Sequence, residues 1–360
     1  MRGINTYVTY EEAKDMEDVQ FIDVRSPVEY AAASIPGAAN IPLYTEEERH
    51  QLGKTYKDEG AAPARMLGLK LVSPKLPRLV EDILAACGGK TPLLYCWRGG
   101  TRSESVAAIL QLLRIPTYRL QGGYKGYRRF VHHRLQDYSL KPRPVVLHGL
   151  TGVGKTRILT ILKEAGCPVL DLEGLALHRG SVFGSLGIKG PRSQKDFEGL
   201  LLRELDKYQE SPYILVEGEG QKIGPIFVPP FLVEAMKEGL HILLEASLET
   251  RVERILKEYV QGRGTIVEDA AEALTHIHRR LGKETSARIR NFLETGDTRE
   301  AVKELCQNYY DRLYLDSRKE NGCYADVIEA EDIGRAVESI KTFLARTFPS
   351  PDGAFGEGGG

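Results

Sequence analysis

The chain has 360 residues, of which 42% are hydrophobic and 28% charged, and its formal net charge is −1. That balance describes an ordinary soluble globular protein long enough for two domains with separate cores, and it gives no global pull toward nucleic acid or membrane. Five cysteines (Cys87, Cys96, Cys167, Cys306 and Cys323) are few, odd in number and without CxxC spacing, which speaks against a disulfide framework or a structural zinc site.

Met1-Arg-Gly-Ile-Asn-Thr has no apolar signal core and no stretch reaches membrane-spanning length, so the cytoplasm is the expected compartment. No internal repeat is evident. Thr9-Tyr-Glu-Glu12 has capping-box spacing and predicts a short helix. A strand follows over 19–24, with Asp23 and Arg25 at its end. The turn-rich Ser34-Ile-Pro-Gly-Ala38 and Asn40-Ile-Pro-Leu43 lead into a second short strand. Residues 46–75 read as a charged, mostly helical insertion, and 79–86 as another helix. Strands alternating with helices indicate a parallel α/β sheet.

The next stretch carries chemistry. Leu93-Leu-Tyr-Cys96-Trp97-Arg98-Gly99-Gly100-Thr101-Arg102-Ser103 reads as a buried strand, a loop and the start of a helix with Val106, Ile109, Leu110 and Leu113 at helical spacing. Backbone amides, the positive helix end and Arg98 with Arg102 all favour a thiolate at Cys96, the nucleophilic form. Gly99 and Gly100 let the loop curl so that its amides cradle an anion. The competing reading is a buried structural cysteine. Together with Asp23-Val-Arg25-Ser-Pro-Val-Glu29-Tyr, Ser34-Ile-Pro-Gly-Ala38 and Asn40-Ile-Pro, this stretch resembles a rhodanese domain, a sulfur-carrying fold. Its C-x5-R spacing is shared with phosphotyrosine phosphatases, but Tyr95 stands where those carry His, which favours sulfur or selenium chemistry.

Downstream, Leu120-Gln-Gly-Gly-Tyr-Lys125-Gly-Tyr-Arg128-Arg129-Phe-Val-His-His-Arg134 mixes positive charge with Tyr124, Tyr127 and Phe130. That mixture suits RNA, with cations on phosphates and rings under bases. Alternatively the aromatics pack inward and the charges form a solvated face.

Pro142-Arg-Pro144 marks a domain boundary, giving domains over 1–138 and 139–348. Strand 145–148 then runs into Gly149-Leu-Thr151-Gly152-Val153-Gly154-Lys155-Thr156, a full G-x4-G-K-[ST] match between a strand and a helix that turns Ile158, Ile161 and Leu162 inward. Its amides should hold a di- or triphosphate, with Lys155 as cation and the Thr156 hydroxyl on any Mg²⁺. A strand over 168–173 would end in Asp171 and Glu173, with His178 and Arg179 beyond it as substrate contacts. Strand 213–216 leads to Glu217-Gly-Glu219, either of which could act as a base or organise Mg²⁺-bound water, or cap the strand end. Strand 241–245 follows.

Residues 275–292 read as a basic helix. His276, Arg280, Lys283 and Arg290 recur at helical spacing, with Arg279 beside them and Tyr309, Tyr310 and Tyr314 after them; phosphate-backbone contact and a solvated face both fit. A last helix over 333–344 carries Ile333, Val337, Ile340 and Leu344, and the Gly-rich 349–360 reads as a disordered tail.

A rhodanese-like half joined to a P-loop half is a rare pairing. With Asp171-Leu-Glu-Gly-Leu-Ala, His178-Arg-Gly-Ser-Val-Phe-Gly184 and the motifs above, the chain resembles the tRNA 2-selenouridine synthase family from about Thr9 to about Leu344. One departure is Gly218, where that family is expected to carry an acidic or polar residue. The resemblance implies replacement of sulfur by selenium in 2-thiouridine at the tRNA wobble position, with selenophosphate as donor and selenophosphate synthetase as a candidate partner. It also implies a geranylated 2-thiouridine made from geranyl diphosphate. A prenyl pocket could be lined by Phe183, Ile226, Phe227 and Phe231, which ordinary core packing explains equally well. The rival reading is a rhodanese sulfurtransferase fused to an ATP- or GTP-dependent kinase.

Overall fold

Pro92, Leu93, Leu94 and Tyr95 are all buried, and a strand apolar on both faces belongs inside a covered sheet. The structure, a computed structural model, describes residues 6–178, 192–218, 220–260, 281–312 and 324–349. The chain divides into two units, residues 1–138 with Ser193–Leu202 and residues 139–192 with 203–360. In the first unit, β1 (Thr6–Val8), β2 (Val19–Asp23), β3 (Ala39–Asn40), β4 (Thr91–Tyr95) and β5 (Tyr118–Leu120) form one sheet in the order β1-β5-β4-β2-β3. Every pairing is parallel.

The second unit repeats the plan. Its strands β6 (Arg143–His148), β7 (Val169–Leu170), β8 (Tyr213–Glu217), β11 (Leu240–Glu245) and β12 (Asp326–Glu329) pair in parallel in the order β12-β11-β6-β8-β7. A small antiparallel pair, β9 (Lys222–Ile223) and β10 (Ile226–Phe227), stands apart. Each sheet is thus five-stranded with its chemistry-bearing loop leaving the carboxyl end of the middle strand, β4 or β6, where open parallel sheets place ligands.

Helices follow the sequence's punctuation. Thr9 closes a capping box with Glu12 over Tyr10–Ala13, and Ser26 does the same with Glu29 over Pro27–Ala32. The insertion is a helical pair, Glu46–Glu59 and Ala61–Val72, turned by Gly60 at φ +96° and pinned by Lys75 on Glu48 at 2.6 Å. One core gathers Ile22, Val24, Ile83, Leu94, Val106 and Leu110; the other gathers Val145, Leu147, Ile158, Leu162, Ile242 and Ile340.

Two expected elements differ. The strand expected over 168–173 is only Val169–Leu170, because Asp171 caps a new helix, Leu172–Ala176, by accepting from the Gly174 amide at 2.8 Å. Of the basic helix expected over 275–292, the described part is Lys283–Glu294, preceded by Gly282 at φ +81°, a conformation helices avoid. His276, His278, Arg279 and Arg280 lie outside the described residues, as does the tail from 350.

Candidate functional site

Cys96 follows β4 directly and is 4% exposed. Its Sγ lies 3.4 Å from Ser103 Oγ, which is itself buried and 3.1 Å from the Gly100 carbonyl. Ser103 went unassigned in the sequence, though its place in the first turn of helix Thr101–Leu112 is a readable signal. The loop's carbonyls are tied back from behind. Cys96 O accepts from the Tyr124 amide and Trp97 O from the Lys125 amide, both at 2.9 Å, and Gly99 O from Arg119 Nη2 at 3.2 Å. In a trans peptide N–H points opposite to C=O, so the amides of Trp97, Arg98 and Gly100 face the other way, as an anion cradle requires.

Arg102 does not add its charge to that cradle. Its guanidinium grips Glu29 with both nitrogens, at 2.5 and 3.0 Å. Burial pulls the Glu29 carboxyl up, but the Arg102 bonds outweigh it and hold the group below the usual carboxylate range. Arg98, Gly100 and Thr101 are exposed, and Trp97 is 39% exposed beside them. Beneath the loop, Arg25 is 1% exposed, forks onto Asp23 at 2.6–3.0 Å and lies 4.2 Å from the Tyr124 ring centre.

The basic segment is helix Gly123–Gln136, and its aromatics face inward. Tyr124 and Tyr127 are each 1% exposed, with Tyr127 packed on Tyr10 at 4.6 Å, so neither ring can stack on an RNA base. Arg128 is engaged with Glu198 and with the Lys195 carbonyl. Lys125 and Arg129 are exposed. The Tyr124 and Lys125 backbone amides at the helix start support the Cys96 loop, which leaves the Lys125 side chain exposed.

In the second unit Gly152 and Gly154 take φ of +82° and +100°, and helix Lys155–Glu164 begins beyond them. Lys155 is 9% exposed, with Nζ 2.9 Å from Gly149 O and 3.9 Å from Glu217 Oε1. Thr151 O accepts from Arg251 Nη1 at 3.2 Å and Val153 O from Arg254 Nη1 at 2.6 Å. Val153 is buried in the core and Thr156 is exposed. The amides of Gly152 and Gly154, opposite those carbonyls, are turned away from the arginines.

Asp171 is a helix cap, and Glu173 sits in the first turn of that helix, not at a strand end. His178 packs against Gly224, where a Cβ would lie 2.5 Å from its Nε2 and Cδ2. Glu217 is 4% exposed at the end of β8, beside Lys155. Arg179, Glu219, Phe183 and Tyr314 lie outside the described residues. Lys283 is exposed, whereas Tyr309 and Tyr310 are buried in a helical core with Ile289 and Leu305 and cannot serve as RNA contacts. Ile226 is buried, and Phe227 is 60% exposed under Lys222 Nζ, 4.6 Å from its ring centre. Among the described residues no group of three or more His, Cys, Asp or Glu could hold a metal, and no helix is long and apolar enough to cross a membrane.

Gly218 has a local reason. A Cβ there would lie 2.7 Å from His148 Nδ1, and His148 Nε2 is 2.7 Å from His241 Nδ1. Burial, then His241, then Lys155 push the His148 imidazole down to about 4. Unfolding would let it protonate near its ordinary 6.5, so the unfolded state binds the extra proton between those values and stability is lost as pH falls from 6.5 toward 4. The expected loss is up to about 3 kcal/mol at 1.36 kcal/mol per pH unit. Thermal unfolding from pH 7 to 4.5 should show a steeper decline in wild type than in His148→Gln; parallel curves would disprove it.

Residues 142–341 match the model of the tRNA 2-selenouridine synthase AAA domain, and residues 8–130 that of the rhodanese-like domain. The chain is 34% identical over 333 residues to a tRNA 2-selenouridine synthase of Pseudomonas syringae pv. syringae (strain B728a), covering 84% of this chain and 90% of the relative. It is 36% identical over 323 residues to one of Cupriavidus pinatubonensis (strain JMP 134 / LMG 1197), covering 81% and 87%. Among solved structures, an N-terminal domain from Clostridium difficile 630 is 35% identical over 35% of this chain and 98% of its own, with a TM-score of 0.34. The architecture is therefore a rhodanese-like α/β unit followed by a P-loop α/β unit with a helical C-terminal part.

Proposed function

This chain belongs to the tRNA 2-selenouridine synthase family, enzymes that modify tRNA with selenium, and on that premise we propose that its two loops divide two co-substrates between them. The cradle of Trp97 to Arg102 takes selenophosphate beside Cys96, with Arg98 as the exposed cation and Arg102 as a strut on Glu29. The loop 149–156 takes the diphosphate of geranyl diphosphate. The wobble 2-thiouridine sulfur attacks the first prenyl carbon; the S–C bond forms, the C–O bond breaks, and pyrophosphate departs against Lys155 and the loop amides. Alkylation makes the sulfur a better leaving group: the selenium of selenophosphate bonds to the base carbon as the C–S bond breaks and geranyl thiol leaves, and water then cleaves the Se–P bond, releasing phosphate and leaving selenium on the base. The Cys96 thiolate assists that second transfer.

A Mg²⁺ riding on the diphosphate would meet the Thr156 hydroxyl. Lys125, Arg129 and Lys283, exposed on their helices, are the described candidates for the tRNA backbone, with Arg279 and Arg280 in the same role by sequence. Domains over 1–138 and 139–348, a cytoplasmic setting and selenophosphate synthetase as the donor's source belong to this reading.

The observation that carries it is shared design. Both loops leave the middle strand of a parallel sheet and have several of their carbonyls tied back, which leaves amides for an anion on each. Mass spectrometry of nucleosides from thiolated tRNA tests it. Geranyl diphosphate alone should give geranylated thiouridine with wild type and with Cys96→Ala. Adding selenophosphate should give selenouridine with wild type alone. Equal loss of both products in Cys96→Ala would refute the division, and an unchanged thiouridine peak with nucleotide turnover in the absence of tRNA would establish the sulfurtransferase–kinase rival.

A further inference from the structure

Loop 149–156 has to present amides to a polyanion, yet each of its peptides also carries a carbonyl that would repel one. What disposes of two of those carbonyls comes from about a hundred residues downstream. Helix Leu248–Val260 carries Arg251 and Arg254 three positions apart, on one face. Arg251 is 3% exposed; it donates to Thr151 O at 3.2 Å and forks onto Asp311 with two bonds of 2.9 Å. Arg254 donates to three carbonyls, Val153 O at 2.6 Å, Ala330 O at 2.7 Å and Glu331 O at 3.0 Å. The two guanidiniums therefore hold carbonyls two residues apart in the loop, and the Gly152 and Gly154 amides between and beyond them are rotated to the opposite side.

We propose that Arg251 and Arg254 are positioning residues for the phosphate ligand: they set the amide cradle of loop 149–156 before the ligand arrives. Each guanidinium directs three bonds at backbone carbonyls or at Asp311, so both act through the loop and not by gripping the ligand. The walls behind the loop agree. A Cβ on Gly152 would meet Arg251 O at 2.8 Å, and one on Gly154 would lie 2.5 Å from Ile333 Cδ1 and 3.4 Å from Arg254 Nη1, so the loop is seated against these groups with no slack. Arg254 also fastens the loop to residues 330–331, which follow β12, so a lysine, a single donor point without a planar fork, cannot span all three acceptors. The inference rests on the reading that this loop holds a phosphate ligand, but its structural half is testable without one.

Amide hydrogen exchange of the ligand-free full chain, followed by mass spectrometry, reads the cradle directly. Titration with inorganic pyrophosphate reads its use. In Arg254→Ala and Arg254→Lys, amides of the 149–156 peptide should exchange at least about tenfold faster and pyrophosphate should bind about 10- to 100-fold more weakly. The exchange of β4 and the alkylation rate of Cys96 should be unchanged. A lowered melting temperature with loop exchange and pyrophosphate affinity both as in wild type would overturn the proposal and leave Arg254 as a fold support. Wild-type chain that fails to bind pyrophosphate, while the variants still loosen the loop, would sink the phosphate reading and keep the positioning role.

Discussion

Gly123→Ala is expected to abolish the Cys96-dependent step and to cost more than about 3 kcal/mol of stability. Gly123 sits at φ +55°, a region an alanine enters at a cost of roughly 1–2 kcal/mol. The larger penalty is contact. An added methyl would overlap the Cys96 carbonyl oxygen and the Gly99 amide nitrogen, both backbone atoms with no rotamer to give way. The following amides, Tyr124 and Lys125, hold the Cys96 and Trp97 carbonyls at 2.9 Å, so pushing Gly123 outward also unties the loop. Gly53→Ala, in the middle of helix Glu46–Glu59 with open space at its Cβ, is the matched control and should be neutral or stabilising by up to about 1 kcal/mol. Thermal unfolding and the alkylation rate of Cys96 together test this. A Gly123→Ala chain with wild-type melting and wild-type alkylation would show that the loop does not depend on its glycine support.

That glycine also shows where the sequence was legible and where it was not. Both cradles were readable because each is local: strand, glycines and helix start lie within a dozen residues, and the backbone chemistry of an anion site needs those residue types in that order. The supports come from elsewhere in the chain. Arg102 meets Glu29 across 73 positions and Arg254 meets Val153 across 101, distances at which no periodicity carries information. Gln121-Gly122-Gly123 lies in a basic, aromatic segment whose sequence fits an RNA-facing surface and an inward-packed helix equally. Composition alone cannot tell a ring packed on Tyr10 from one turned to solvent, and Tyr124 and Tyr127 turned inward.

Acidic residues at strand ends are ambiguous in the same way. Asp171 looks like a site carboxylate after an apolar run, and its Oδ1 also accepts from the Gly174 amide as a helix cap, as the short Asp-x-x-Gly spacing permits. Gly218 reads as a departure from a family pattern until the His148 ring is placed against it; any side chain there would displace that ring. Ser193–Leu202 belongs with the first unit through bonds such as Asp196 to the Ser34 amide at 2.9 Å, a pairing 162 positions apart that no local signal announces.

Lys155→Ala should weaken pyrophosphate binding about 100-fold and stop geranylation while leaving Cys96 alkylation intact. A charge-assisted bond to phosphate contributes roughly 1.5–3 kcal/mol, which is about 10- to 150-fold. Lys155 Nζ lies 2.9 Å from Gly149 O, within the loop's own reach, so little rearrangement brings it to a phosphate oxygen held by the loop amides. The same substitution removes a cation 3.9 Å from Glu217, whose carboxylate is 4% exposed, and the lost compensation should cost roughly 1–3 kcal/mol of stability. These two consequences have different remedies. Lys155→Ala/Glu217→Gln removes the buried negative charge as well, so it should recover part of the stability and none of the pyrophosphate affinity. If the double variant instead binds pyrophosphate like wild type, Lys155 serves the fold through Glu217, and the amides tied back by Arg251 and Arg254 hold the diphosphate without it.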